Sequence, residues 1–123
     1  MLKIRGSILV AAALLTGSVL FSAPASAADG ETLYKFYCAQ CHGVDGKGDG
    51  PNVTKSMPVT PRNFANTAEM NKLSDADLSS VIVDGGPAAS KSPIMPAWSK
   101  TLSKDETGKL VAHLRKMCNC KGK

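Results

Sequence analysis

Cys38-Ala39-Gln40-Cys41-His42 is the stretch that decides the interpretation of this 123-residue sequence. The pattern C-x-x-C-H is typical of covalent haem attachment, in which two thiols add to the vinyl groups and the histidine binds the iron. Cysteines three residues apart project from one side of a helical turn, so they span one edge of the macrocycle. The segment therefore predicts one haem c, attached through Cys38 and Cys41 and ligated by His42.

Two other interpretations of the cysteines stay open at this level. Cys118 and Cys120 would complete a four-thiolate zinc site of the form C-x-x-C and C-x-C, which needs no histidine at position 42. A thioredoxin-like dithiol is the second, but such a pair follows a strand, and no strand pattern precedes Cys38. The C-x-C spacing and the missing histidine exclude a second haem at the C-terminus.

The iron needs a further ligand on the opposite face of the haem if it is six-coordinate. We favour Met95, because Pro93 and Pro96 hold the backbone around it extended and stiff. Met57 also precedes a proline and is the runner-up. Three further residues could in principle bind the iron. Met70 and Met117 are assigned to packing, and His113 is assigned to the surface or edge of the last helix.

The first 27 residues have the features of a cleaved secretory signal. Lys3 and Arg5 precede an apolar run over residues 8–15, and Ala25-Ser26-Ala27 fits an A-x-A cleavage site. A retained membrane anchor is the alternative, but polar and small residues at positions 16–18 interrupt the apolar stretch. We therefore predict export to the periplasm, an oxidising compartment where c-type haem is attached.

Residues 28–123 are enough for one domain with a modest core. Aromatic residues are few, so a large apolar cofactor would supply core that the sequence lacks. Cleavage removes Lys3 and Arg5, and the formal net charge falls from +5 to +3. The lysines are scattered, so nucleic-acid binding is not predicted. A mildly basic face would suit a partner with an acidic docking face.

Three stretches show helical periodicity, and none shows the alternation of a strand, so the predicted class is all-α. The first helix is predicted from about Glu31 to Cys41, with Asp29 as its cap. Its buried face is predicted to carry Leu33, Phe36 and Tyr37.

The other two predicted helices have clear start signals. One begins at Ser74 with Asp77 three residues later and stops at Gly85-Gly86. The last begins at Ser103 with Glu106 three residues later. Long glycine- and proline-rich loops separate the helices, with a short helical turn near residues 64–70.

The chain resembles small bacterial monohaem class I c-type cytochromes from about Gly30 to Met117. The resemblance rests on residues 38–43, on the glycine-rich residues 45–51 and on Met95-Pro96-Ala97-Trp98. It implies the cytochrome c fold, with the first and last helices crossing beside the haem edge. It also implies roles for four residues: His42 as proximal ligand, Met95 as distal ligand, Pro51 as the residue whose carbonyl orients His42, and Trp98 near a propionate.

The function implied by the resemblance is electron transfer rather than catalysis, with redox proteins such as a reductase, an oxidase or another cytochrome as partners. If Met95 leaves the iron, a peroxidase-like enzyme or a gas or redox sensor becomes the alternative, although the sequence places no catalytic acid, base or arginine to assist. The C-terminal segment 118–123 departs from the family pattern. Its two thiols could pair with each other, link two chains or bind a metal.

Overall fold

The computed structural model describes residues 27–123. This range contains five α-helices and one 3-10 turn at Pro87–Ala89, and it contains no strand, which confirms the all-α class. The helices are α1 (Gly30–Tyr37), α2 (Ala39–His42), α3 (Thr67–Met70), α4 (Asp75–Asp84) and α5 (Lys104–Cys118). The predicted signal segment lies outside the described residues apart from Ala27. Within the described range, no helix has the length and apolar character to cross a membrane.

The helix starts lie where local sequence signals predict them. Asp29 caps α1 by accepting from the backbone N–H of Thr32 at 2.8 Å. Ser74 and Ser103 each form a reciprocal capping box at the starts of α4 and α5. These side chains satisfy N–H groups that have no partner inside the helix.

The first helix differs from its prediction in two respects. It breaks at Cys38, where φ is −114° and ψ is −34°, so the cysteines lie in a separate turn, α2. Phe36 is 74% exposed, whereas Leu33 and Tyr34 are buried. With 3.6 residues per turn, a face centred on Leu33, Tyr34 and Tyr37 leaves Phe36 to one side, so its predicted burial is wrong.

Helices α1 and α5 pack against each other and form the frame of the domain. Gly30 allows the close approach, because a Cβ there would lie 2.8 Å from the carbonyl carbon of Lys109. Helices α3 and α4 also pack on α5. The buried core drawn from these helices includes Tyr34, Met70, Leu110 and Cys118. The crossing of the first and last helices agrees with the expected fold.

Candidate haem site

A cavity of about 820 Å³ lies beside the C-x-x-C-H turn. Its volume falls in the range of about 300–1,000 Å³ that is usual for cofactor and ligand pockets. Cys38, Cys41 and His42 line it, and so do Met95 and Met57. The structure thus brings the four sequence-predicted site residues to the wall of one cavity.

The imidazole of His42 is held in a defined orientation. Its Nδ1 donates to the backbone carbonyl of Arg62 at 3.1 Å, and its ring stacks on Phe64 with centroids 4.4 Å apart. Burial lowers the pKa of His42, so the ring is neutral at physiological pH. A neutral imidazole whose Nδ1 carries the proton leaves Nε2 free to bind a metal.

The carbonyl that orients His42 is a correction to the expectation. Pro51 was the expected acceptor, but the structure assigns the role to Arg62. The reason is the course of the backbone around α2. The segment containing Pro51 pairs with the backbone carbonyls of α2, whereas the His42 ring packs against Phe64, two residues beyond Arg62.

Residues 43–52 return along α2 and satisfy the carbonyls at its end. The N–H groups of residues 48, 50 and 52 donate to the carbonyls of residues 42, 41 and 40 at 2.8, 3.1 and 2.8 Å. Glycine at position 50 is required by this approach, because a Cβ would lie 2.6 Å from the Ala39 carbonyl oxygen and closer still to that of Gln40. The glycine-rich loop therefore fixes the turn that carries the cysteines and His42.

Tyr34 adds a support that the sequence analysis did not identify. Its buried hydroxyl donates to the carbonyl of Gly43 at 2.7 Å. Gly43 has a φ of 77° and follows His42 directly. No sequence signal pointed to this contact, because the predicted buried face of the first helix did not include Tyr34 and the partner lies nine residues away.

The Met95 loop is attached to the end of α4 by backbone hydrogen bonds. The N–H of Gly86 donates to the Met95 carbonyl at 3.0 Å, and that of Trp98 donates to the Ile82 carbonyl at 3.0 Å. Gly85, with a φ of 81°, permits this contact, since a Cβ there would lie 2.8 Å from the backbone nitrogen of Ala97. The loop therefore has a fixed path along the cavity wall. Its backbone is not extended as predicted, because residues 92–95 form a turn in which the Met95 N–H donates to the Ser92 carbonyl at 3.3 Å.

The other candidate ligands separate by location. Met57 lines the same cavity as His42 and stays a rival to Met95. Met70 is fully buried in the core. Met117 and His113 line a different cavity, of about 730 Å³, which also includes residues of α1. The geometry therefore reduces the candidates for the distal position to Met95 and Met57.

The two alternative interpretations of the cysteines do not fit the structure. Cys118 and Cys120 form a disulfide with each other, and within residues 27–123 no three side chains with metal-binding groups converge. Burial, assisted by Cys41, raises the pKa of the Cys38 thiol to about 11. A reactive dithiol has a lowered pKa instead.

Trp98 also lines the cavity and packs edge-on against Tyr37, with ring centroids 5.1 Å apart. This contact attaches the Met95 loop to α1, next to Cys38. The proximity of Trp98 to a haem propionate stays a prediction.

An all-α fold that gathers a C-x-x-C-H turn and a loop methionine around one cofactor-sized cavity defines a c-type cytochrome. The sequence matches the family described as "Cytochrome C oxidase, cbb3-type, subunit III" over residues 25–114, and the chain belongs to this family of c-type cytochrome domains. A comparison with curated proteins gave no match.

The chain is similar to several solved structures, including the following two. One is "KustC0563 c-type cytochrome", with 29% identity, a TM-score of 0.59 and coverage of 73% of this chain and 98% of that one. The other is the Kuenenia stuttgartiensis "reducing HAO-like protein complex Kustc0457/Kustc0458", with 32% identity and a TM-score of 0.57. The latter match covers 72% of this chain and only 40% of the other chain.

Proposed function

We propose that this chain carries one electron at a time on a single haem c with His42 and Met95 as axial ligands. The observation that supports it best is the shared cavity of Cys38, Cys41, His42 and Met95. Membership in a family of c-type cytochrome domains supports haem-based electron transfer in general. The ligand pair and the number of haems are the specific parts of the proposal.

When bound, the haem supplies an iron centre that accepts and releases one electron. Cys38 and Cys41 would hold it beside α2 through thioether bonds. The Arg62 carbonyl keeps the His42 ring in one tautomer and one orientation, which limits rearrangement when the charge on the metal changes. The thioether of Met95, a soft ligand, favours the ferrous state and raises the reduction potential.

The proposal includes export, with removal of residues 1–27 and a mature chain that begins at Ala28. It rests on the basic, apolar and small-residue pattern of that segment. Sequencing the N-terminus of the protein purified from a periplasmic fraction tests this part. A chain that retains Met1 in the membrane fraction would contradict it.

Its partners are proposed to be redox proteins with an acidic docking face. The formal charge is positive. In the cavity lining the basic residues Arg62, Lys91 and Lys123 outnumber the acidic Glu69 and Asp77 by one charge. Opposite charges around a cofactor mouth accelerate encounter and make it dependent on salt. One of the similar chains belongs to the Kuenenia stuttgartiensis "reducing HAO-like protein complex Kustc0457/Kustc0458", which supports association with other proteins.

The test is the optical spectrum of the ferric and ferrous holoprotein, compared with the variants Met95→Ala and Met57→Ala. Each variant removes one thioether that lines the cavity, so they are matched controls for each other. We expect a low-spin ferric spectrum with the weak long-wavelength thioether band in the unmutated protein. The band should vanish in Met95→Ala and persist in Met57→Ala.

The reverse result would assign the distal position to Met57 and contradict this ligand pair. A high-spin ferric spectrum with rapid cyanide binding in the unmutated protein would favour a peroxidase-like enzyme. An open ferrous site that binds carbon monoxide would favour a sensor. The mass of the purified chain should exceed that of the apoprotein by one haem.

A further inference from the structure

The C-terminal end of the chain contains a disulfide that the electron-transfer proposal does not use. Cys118 is the last residue of α5, and Cys120 lies two positions later, with a Cα–Cα distance of 5.2 Å. Asn119 between them has a φ of 48°, which turns the chain back toward the helix. Cys118 is buried and Cys120 is partly buried.

A bridge between residues so close in sequence contributes little as a structural cross-link. Disulfides stabilise chiefly by restricting the unfolded chain, and the effect shrinks with the length of the closed loop. The end of α5 is also fastened independently, because Thr67 donates to the Cys118 carbonyl at 2.7 Å and the Gly122 N–H donates to the Asn71 side chain at 3.2 Å. Structural reinforcement is therefore a weak explanation for this pair.

Arg115 places a positive charge beside one of the two sulfur atoms. Its Nη1 lies 3.6 Å from Sγ of Cys120. The guanidinium is held rigidly, since it donates to the carbonyls of Met70 at 3.0 Å and Leu73 at 2.7 Å. Asp75 pairs with the Nε edge at 2.8 Å and partly offsets the charge. The Arg115 side chain is only 11% exposed, so solvent screens this charge weakly.

The sulfur of Cys118 lies beside an uncharged hydrogen-bond acceptor. Sγ of Cys118 lies 3.4 Å from the carbonyl oxygen of Arg115. In the reduced protein a Cys118 thiol would donate to that oxygen, while a Cys120 thiolate would lie beside the guanidinium. Interactions that favour the reduced form raise the reduction potential of a disulfide.

We propose that Cys118 and Cys120 form a redox-active pair that exchanges two electrons with a protein dithiol of the C-x-x-C kind, independently of the haem. The more accessible sulfur, that of Cys120, is attacked by a thiolate of the dithiol, and Cys118 leaves and takes a proton. The second thiol of the dithiol then displaces Cys120. The dithiol, which enters as one thiolate and one thiol, becomes a disulfide, and the chain gains two electrons and one proton, with Cys118 a thiol and Cys120 a thiolate.

Haem attachment makes this site measurable in the holoprotein. Cys38 and Cys41 are the other cysteines of the chain, and thioether bonds to the haem would consume both. Any thiol that appears on reduction would then come from Cys118 and Cys120. The haem spectrum reports separately on the axial ligands, so failure of this proposal and failure of the proposed function are distinguishable.

The first experiment equilibrates the holoprotein with glutathione buffers of varied ratio and counts thiols by trapping with a maleimide and mass measurement. We expect two thiols to appear together at ratios that leave ordinary structural disulfides oxidised. Arg115→Met should shift the equilibrium toward the disulfide by roughly tenfold, because an adjacent opposite charge stabilises an ionised group to about this extent. Lys121→Met, the control, removes an exposed cation and should change it less than twofold.

A bridge that stays oxidised in a thousandfold excess of reduced glutathione would overturn the proposal. The proposal would also be overturned if Arg115→Met, in a protein with a native haem spectrum, left the equilibrium between the disulfide and the two thiols unchanged.

A second measurement does not require substitution of Arg115. In Cys118→Ser, the rate of Cys120 alkylation is followed against pH in the folded protein and in urea. The guanidinium should move the midpoint of the folded profile to lower pH than that of the unfolded profile, and equal midpoints would overturn the proposal. The charged groups on this side of the sulfur are Arg115, at 3.6 Å, and its partner Asp75, and Lys121 follows Cys120 in the chain.

Discussion

His42 shows how distant residues orient a single functional side chain. Its position after Cys41 is local, but its orientation comes from Arg62, twenty residues later, and from the ring of Phe64. The Phe64 N–H in turn donates to the carbonyl of Gly46 at 2.6 Å, which connects that segment to the glycine-rich loop. The imidazole is therefore oriented by backbone that exists only in the folded chain.

Removal of the Tyr34 hydroxyl should weaken the support under His42. In Tyr34→Phe, the buried carbonyl of Gly43 loses its 2.7 Å donor, and an unsatisfied buried acceptor costs about 1–3 kcal/mol. Urea unfolding of the holoprotein, followed by haem absorbance, measures this loss. Tyr37→Phe is the matched control, and a loss as large there would contradict the assignment of the effect to this hydrogen bond.

Two glycines should respond to alanine with opposite signs. Gly50→Ala would place a Cβ 2.6 Å from the Ala39 carbonyl oxygen, so we expect a loss of about 1–3 kcal/mol and reduced haem attachment. Gly108 lies in α5 with nothing within 4 Å of its Cβ position. Gly108→Ala should therefore stabilise the protein by about 0.5–1 kcal/mol. Equal effects of the two substitutions in thermal unfolding would show that the close approach at Gly50 is not rigid.

At the scale of secondary structure, the predictable features were the local ones. Asp29, Ser74 and Ser103 each bond to a backbone N–H three residues later, and such pairs can be identified in a short window of sequence. The break at Cys38 could not be identified, because it depends on how the glycine-rich loop pairs with α2. The exposure of Phe36 depends on which face of α1 packs against the rest of the domain.

The residues of the candidate site also divide into those predictable from local sequence and those that depend on the folded chain. The cysteines and His42 follow from one contiguous pattern, whereas the choice of Met95 rests on the prolines beside it and stays a prediction. The Arg62 carbonyl carries no side-chain signal, since any residue offers the same acceptor. The choice between Met95 and Met57 rests on which thioether reaches the iron, which is a property of long loops rather than of local periodicity.

The contact between α1 and α5 should make stability depend on pH through His113. Its ring packs against Tyr34 with centroids 5.1 Å apart, and burial lowers its pKa below the ordinary 6.5. Lys116 and Lys35 act in the same direction, while Glu31 and Asp29 oppose it. Folding therefore favours the neutral ring.

The sign follows from proton linkage. Above the ordinary pKa the ring is neutral in both states and has no effect on the pH dependence. As the pH falls, the unfolded chain gains the proton first, so the free energy of unfolding decreases until the lowered folded pKa is passed. His113→Gln should flatten this dependence as the pH falls below about 7. Denaturant unfolding of the holoprotein at several pH values measures it, and parallel curves for both proteins would refute the role of His113.

At the scale of the whole molecule, the cavity beside α2 leaves apolar side chains without a packing partner. Its lining includes Leu73, Val81 and Ile94, and apolar surface left in contact with water forgoes about 25 cal/mol of stabilisation per Å². The described fold should therefore depend on its cofactor.

The double substitution Cys38→Ala/Cys41→Ala, followed by haem extraction, tests this dependence. The apoprotein should keep part of its helical far-ultraviolet signal, because α5 has its own caps. It should lose the near-ultraviolet signal and cooperative unfolding, because the walls of the cavity have nothing to pack against. Cys118→Ala/Cys120→Ala removes two cysteines away from the cavity and should retain the haem and both signals. An apoprotein that unfolds as cooperatively as the holoprotein would show that the helices alone, packed on α5, suffice to maintain the fold.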